Sequence, residues 1–274
     1  LIKGDAGDSV SLIDGWSAGV TIVNPFSETG SFVVYSNGAA RLLVESEVQV
    51  YTGTIDLATL TAAQGFRIFG ANGYDRSGYS VASAGDVNGD GFDDLIVGAY
   101  GGDAAGNGKS NAGESYVVFG KSSGFADIDL AALTGSQGFR IFGADADDLS
   151  GRSVASAGDV NGDGFDDLII GALGGDAAGN GKYDAGESYV VFGKSSGFAD
   201  IDLAALTGSQ GFRIFGADAD DLSGRSVASA GDVNGDGFDD LIIGALGGDA
   251  AGNGKYDAGE SYVVFGKSSG FADI

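Results

Sequence analysis

The chain has 274 residues, with 39 acidic side chains against 14 basic ones, no histidine and a formal charge of −25. A polyanion of this kind has the wrong sign for phosphate, which excludes nucleic acid and anionic membrane as partners, and so many carboxylates oppose compaction unless cations neutralise them. Because 43% of the residues are hydrophobic and recur in regular clusters, the chain reads as folded rather than disordered.

Cysteine and methionine are absent, so disulfides, iron–sulfur clusters and thiol nucleophiles are absent too. Lacking histidine as well, the chain cannot build Ser-His-Asp, Cys-His or His-zinc chemistry. Paired carboxylates could in principle hydrolyse glycosides. The aspartates here, however, are spaced as metal ligands and recur identically in successive units, whereas an active site is normally unique. No enzyme is expected. No apolar run approaches the roughly 18 residues of a membrane-spanning helix. Without a methionine or signal peptide at Leu1, the chain reads as a piece of something longer.

Residues 1–50 form a lead-in. Alternation in Ser9-Val10-Ser11-Leu12-Ile13, Phe32-Val33-Val34-Tyr35 and Leu42-Leu43-Val44 predicts a small β-rich unit, with Trp16 as a core aromatic. A repeat of 73 residues follows. Units span 51–124, 125–197 and 198–270, and Phe271-Ala272-Asp273-Ile274 opens a fourth. Phe125–Gly197 recurs unchanged as Phe198–Gly270, while the first unit is diverged. Long fixed periods signal solenoids, propellers or arrays, whose units bury their apolar faces on one another.

In the middle unit, Ile128–Leu133 is either a helical turn or an outer connection. Gly138–Gly143, Ser153–Ala157, Asp167–Ala172 and Glu187–Phe192 read as strands. The last two carry unbroken apolar runs that suit a sheet covered on both faces. The small Val-Ala-Ser-Ala strand suits the crowded axis of a propeller, and the bulky Tyr-Val-Val-Phe and Phe-Arg-Ile-Phe strands its rim. The expected fold is all-β: four-stranded antiparallel propeller blades, preceded by a small β segment. A parallel β-helix is the alternative, though its repeats are typically far shorter.

Each unit carries Asp-x-Asn-x-Asp-Gly-x-x-Asp. The candidate ligands are Asp86, Asn88, Asp90, the Phe92 carbonyl and Asp94; Asp159, Asn161, Asp163, the Phe165 carbonyl and Asp167; and Asp232, Asn234, Asp236, the Phe238 carbonyl and Asp240. Calcium takes six to eight hard oxygens, and oxygens at positions 1, 3 and 5 of a tight loop can converge, the glycine at position 6 allowing the reversal. Position 12 is Val97, Ile170 or Ile243 rather than the glutamate of an EF-hand, so the closing carboxylate is sought at position 9. About one Ca2+ per repeat is expected; the alternative is an Asx-rich turn without metal. Asp93, Asp166 and Asp239 are expected to face solvent or cap the turn.

Two further acidic loops, Asp145-Ala146-Asp147-Asp148 and 176–184, are expected on one face opposite the metal loop, as solvated charge; the alternative is a second metal or ligand surface. Lys182 and Arg152 are expected to pair with neighbouring acids.

The run Ser153–Ala172, with Tyr189-Val190-Val191-Phe192-Gly193-Lys194, resembles the FG-GAP repeats of integrin alpha-chain propellers and of large bacterial calcium-binding surface adhesins. The likeness covers about residues 52–270. Two departures stand out: Ser150-Gly151-Arg152 replaces the Phe-Gly before the first strand, and Leu173 replaces the final proline. The resemblance implies seven-bladed propellers with calcium between a blade's first two strands. It also implies a secreted or cell-surface setting and adhesion through a protein or glycan ligand on another surface. The near-identity of the units supports the alternative, a stalk, filament or surface layer of neighbouring copies.

Overall fold

The structure, a computed structural model, describes residues 35–37, 40–42, 55–103, 108–176, 182–249, 255 and 258–273. Two compact units are present, Leu1–Phe66 and Arg67–Ile274. In the first, β1 (Tyr35–Asn37) and β2 (Ala40–Leu42) form an antiparallel hairpin. A 3-10 turn at Leu57–Thr59 is capped by the Asp56 carboxylate. The strand expected at residues 9–13 and the Trp16 core lie outside the described residues.

The second unit is all-β and built from propeller blades. After a short β3 (Ile68–Phe69), the first blade takes β4 (Ser80–Gly85), β5 (Asp94–Ala99), β6 (Glu114–Val118) and β8 (Gly138–Phe142). The second takes β9 (Ser153–Gly158), β10 (Asp167–Ala172), β11 (Glu187–Val191) and β13 (Gly211–Phe215). The third holds β14 (Ser223–Gly231), β15 (Asp240–Ala245) and β16 (Glu260–Val264). All pairings within a blade are antiparallel, with Ile169 opposite Val190 and Val190 opposite Phe212 in the second.

The outer strand corrects the expectation from sequence. Gly138–Phe142 does not join the strands that follow it; it closes the sheet of the preceding repeat, with Gly138 opposite Val118 and Phe142 opposite Glu114. The segment before it explains why. β7 (Ile128–Asp129) pairs in parallel with β3, and its counterpart β12 (Ile201–Asp202) pairs in parallel with β8. Each connection from third to fourth strand therefore crosses to the outer edge of the previous blade. It then makes a 3-10 turn, Leu130–Ala132 or Leu203–Ala205, N-capped by Asp129 or Asp202.

An ion pair pins each crossing: Asp200 accepts the Arg140 amide at 2.9 Å and the guanidinium at 2.7 and 3.0 Å. Asp127 and Arg67 do the same one blade earlier, and Asp273 and Arg213 one blade later.

The core lies between blades. Ala84, Ile96, Val117, Val154, Leu168, Ile170 and Tyr189 fill the first interface. Ala157, Ile169, Val190, Val227, Leu241 and Ile243 fill the second. Alternate residues of β10 thus serve opposite interfaces, which is why its apolar run is unbroken. Each fully buried aliphatic side chain contributes about 1.5–3 kcal/mol. The small strands β4, β9 and β14 lie side by side. Ser80 Oγ accepts the Val154 amide and Ser153 Oγ the Val227 amide, each at 3.1 Å.

Candidate metal-binding loops

The loop between the first two strands of each blade turns its acidic side chains inward onto its own backbone. In the first, Asp86 accepts the Asp90 amide at 3.0 Å through Oδ1 and the Gly91 amide at 2.8 Å through Oδ2. Asn88 Oδ1 accepts the Asp90 amide at 2.8 Å and Asp90 Oδ1 the Phe92 amide at 3.0 Å. Gly91 turns the corner at φ +88°, a conformation glycine adopts without strain. Asp159, Asn161 and Asp163 repeat the pattern, as do Asp232, Asn234 and Asp236.

The ninth residue behaves differently. Asp94 is fully buried; its Oδ2 accepts the Val87 amide at 3.1 Å and its Oδ1 the Gly120 amide at 2.8 Å. It ties the loop to the end of the third strand. Asp167 bonds Val160 and Gly193, and Asp240 bonds Val233 and Gly266, in the same way. Burial pushes the Asp94 carboxyl up to about 6 and Asp167 up to about 8, with the like charges of Asp90 and Asp86, or Asp163 and Asp159, adding to the rise.

Among the described residues no three acidic side chains converge as a ready-made cation cage. The donor chemistry nonetheless fits a hard cation. Every side-chain ligand is an oxygen, and a carboxylate has about four acceptor positions, of which Asp94 uses two on amides. Asp86, Asn88 and Asp90 are held on one turn, and Asp94 lies close enough to feel the charges of Asp86 and Asp90.

At the eighth position Asp93 is exposed, as expected, but Asp166 is partly buried and reaches out of its own turn: its Oδ2 accepts the amide of Asp86, in the loop of the previous blade, at 2.8 Å. Asp239 accepts the Asp159 amide at 3.0 Å. Beside it, the Phe165 ring covers Gly89 so closely that a Cβ there would stand 2.5 Å from the ring, and Phe238 covers Gly162. Successive loops are interlocked. The Phe-Asp pair that follows Gly91, Gly164 and Gly237 in sequence was the available signal.

On the other side of the blades, Asp147 meets Asn111, whose Nδ2 donates to it at 3.0 Å, so neighbouring acidic loops touch. The expectation of solvated charge fails at the last aspartate. Asp75, Asp148 and Asp221 are buried, and Asp148 accepts the Asp145 amide at 2.8 Å. Burial, with Glu187, Asp145 and Asp176 nearby, pushes its carboxyl up to about 7. Lys182 pairs with Asp218 at 3.6 Å. The Arg152 guanidinium instead lies over the rings of Tyr79 and Tyr100, at 4.4 and 4.7 Å.

Residues 77–118, 150–191 and 223–264 match the FG-GAP repeat. The chain carries three FG-GAP repeats. It is 29% identical over 235 residues to integrin alpha-4 of Xenopus laevis, a match covering 81% of this chain and 20% of the relative. It is 32% identical over 176 residues to integrin alpha-V of Gallus gallus, covering 64% and 15%. It is also 34% identical over 173 residues to phosphatidylinositol-glycan-specific phospholipase D of Bos taurus, covering 63% and 19%. The chain thus spans a fifth or less of the length of these relatives. Each FG-GAP match begins at or just before an inner strand and ends with a third strand, so the outer strand falls outside it. Among the described residues, no helix is long and apolar enough to cross a membrane.

Proposed function

We propose that the FG-GAP unit is a calcium-stabilised, extracellular interaction module that adheres to a protein or glycan on another surface and performs no catalysis. The observation that carries this is the threefold recurrence of one all-oxygen loop, with Asp, Asn and Asp at positions 1, 3 and 5 drawn onto a single turn. Asp86, Asn88, Asp90 and the Phe92 carbonyl would hold one Ca2+, with Asp94 closing the site from its buried position. The sets 159–167 and 232–240 would hold two more. The ion would neutralise crowded carboxylates on a chain of charge −25.

The likeness to integrin alpha chains supports adhesion and a cell-surface setting. The uniformity of the units is in keeping with a large bacterial surface adhesin. A structural stalk or array is the second reading, favoured by the identical joints between blades. Isothermal calorimetry of the whole chain with Ca2+ tests the first step: one ion per loop is expected, and no binding at millimolar calcium overturns it. Screening the chain against glycan and extracellular-protein arrays, in calcium and in chelator, tests the second. Retention that is absent everywhere, or unchanged by chelator, removes the adhesive reading.

A further inference from the structure

All three loops read Asp-Val-Asn-Gly-Asp-Gly-Phe-Asp-Asp, so each holds an Asn-Gly pair at its third and fourth positions. An asparagine side chain followed by glycine is open to attack by its own backbone, because no Cβ screens the next amide nitrogen. We infer that Asn88 is a site of spontaneous deamidation and isoaspartate formation, and that Asp159 and Asp232 shield Asn161 and Asn234 from the same reaction. This inference rests on the loop hydrogen bonds and not on the calcium or adhesion reading.

The chemistry needs no partner but water. The Gly89 nitrogen attacks Cγ of Asn88, the new N–Cγ bond closes a cyclic succinimide, and the Cγ–Nδ2 bond breaks. The amide proton of the glycine leaves with Nδ2 as ammonia. Water then opens the ring at either carbonyl, restoring the main chain beside an aspartyl residue or leaving it routed through Cγ as isoaspartyl. One water enters and one ammonia departs, with no change of oxidation state.

Attack requires the glycine peptide to turn until its nitrogen meets the asparagine Cγ, so whatever fixes that peptide opposes the reaction. In the second loop two bonds fix it. Asn161 Oδ1 accepts the Asp163 amide at 2.8 Å, and the Gly162 amide itself donates to Asp159 Oδ1 at 2.7 Å. The third loop has the same pair: Asn234 accepts from Asp236 at 2.8 Å, and Gly235 donates to Asp232 at 2.7 Å.

The first loop keeps only one of these. Asn88 Oδ1 accepts the Asp90 amide at 2.8 Å, but the Asp86 carboxylate takes the Asp90 and Gly91 amides instead. Among the described residues no acceptor holds the Gly89 amide. Access does not separate the sites, since Asn88 and Asn161 are both half-buried and Gly89 and Gly162 both exposed. Nor does sequence, since the nine loop residues are identical. The bond to the first aspartate is what differs.

The loop cannot shed its glycine. Gly89 stands at φ +71°, and a Cβ there would meet the Phe165 ring of the next blade at 2.5 Å. Once isoaspartate forms, the main chain is longer by one carbon between the third and fourth positions. Asp90 and Gly91 are then carried off the Asp86 carboxylate that gathers the turn. The first loop thus carries a slow, one-way covalent change that its two copies resist.

Tryptic mapping of the aged 274-residue chain tests this. Asn88 falls in peptide 77–109, whereas peptides 153–182 and 226–255 are identical; Lys255→Arg, still cut by trypsin, gives the last its own mass. The marked chain is aged in chelator, below the temperature at which circular dichroism shows it melting, and in parallel in urea. Fragment masses then report deamidation at each asparagine. The folded chain should show several-fold more at Asn88 than at Asn161 or Asn234, and the urea sample equal extents at all three. No reaction at Asn88, equal extents in the folded chain, or an excess at Asn88 that persists in urea overturns the inference. Asp159→Ala should raise Asn161 to the rate of Asn88, and an unchanged Asn161 in the folded variant overturns the shield. Should that variant unfold, the comparison within the marked chain decides alone.

Discussion

Asp166 and Asp86 belong to different blades, yet the carboxylate of the first receives the backbone amide of the second at 2.8 Å. The loop that would hold one ion is therefore clamped by the blade that follows it. Asp166→Ala should weaken calcium binding at the 86–94 loop more than at its own 159–167 loop. The lost charged hydrogen bond is worth about 1.5–3 kcal/mol. Calorimetry on the variant should show one site weakened at least tenfold with stoichiometry preserved; equal weakening of all sites would contradict the clamp.

Asp163→Ala removes a loop carboxylate whose Oδ1 also accepts the Phe165 amide at 3.1 Å. Its own site should be lost. Because Phe165 packs on Gly89, the preceding loop should lose some affinity as well. Stoichiometry falling by one, with one remaining site weakened several-fold, is the expected calorimetric trace.

The Arg140–Asp200 staple separates charge from backbone. Its side chains are partly exposed, so the ion pair itself contributes at most about 1 kcal/mol. Asp200 additionally accepts the Arg140 amide. Asp200→Ala should thus lower stability to urea more than Arg140→Gln does. The reverse order would mean that the charge, not the amide acceptor, holds the crossing.

Asp148 sets a pH dependence. Its carboxyl is raised to about 7 by burial and by Glu187, Asp145 and Asp176, against about 4 in the unfolded chain. Between those values the folded state holds the extra proton, so stability falls as pH rises from about 4 to 7 and levels off above. Asp148→Asn keeps an acceptor for the Asp145 amide without the charge. It should raise Tm at pH 8 and leave Tm at pH 4 nearly unchanged. A lower Tm at pH 8 would show that the ionised carboxylate is needed there.

Much of this was legible in the sequence for a physical reason. The strand cores repeat with the 73-residue period, and the small residues of Ser153–Ala157 against the bulk of Glu187–Phe192 ordered them from axis to rim. The partner of Gly138–Phe142 was not legible. Identical repeats offer each outer strand two equivalent sheets, and only the crossing of Ile128–Asp129 onto β3 decides between them. Nor was the depth of Asp148, whose neighbours Asp145, Glu187 and Asp176 come from separate segments of its repeat, or the reach of Asp166 into the loop of the previous blade. The Asp-x-Asn-x-Asp-Gly-x-x-Asp loops were legible as composition and spacing. Their interlocking, through Phe165 over Gly89, was not.

Calcium held by the three loops would stabilise the folded state. Binding to the folded state alone adds RT ln(1 + [Ca]/Kd) per site, about 1.4 kcal/mol at tenfold saturation. Thermal melts of the whole chain in millimolar calcium and in excess chelator should therefore be well separated, with calcium giving the higher Tm and magnesium at equal concentration giving less. Coincident melts in calcium and chelator would contradict the account.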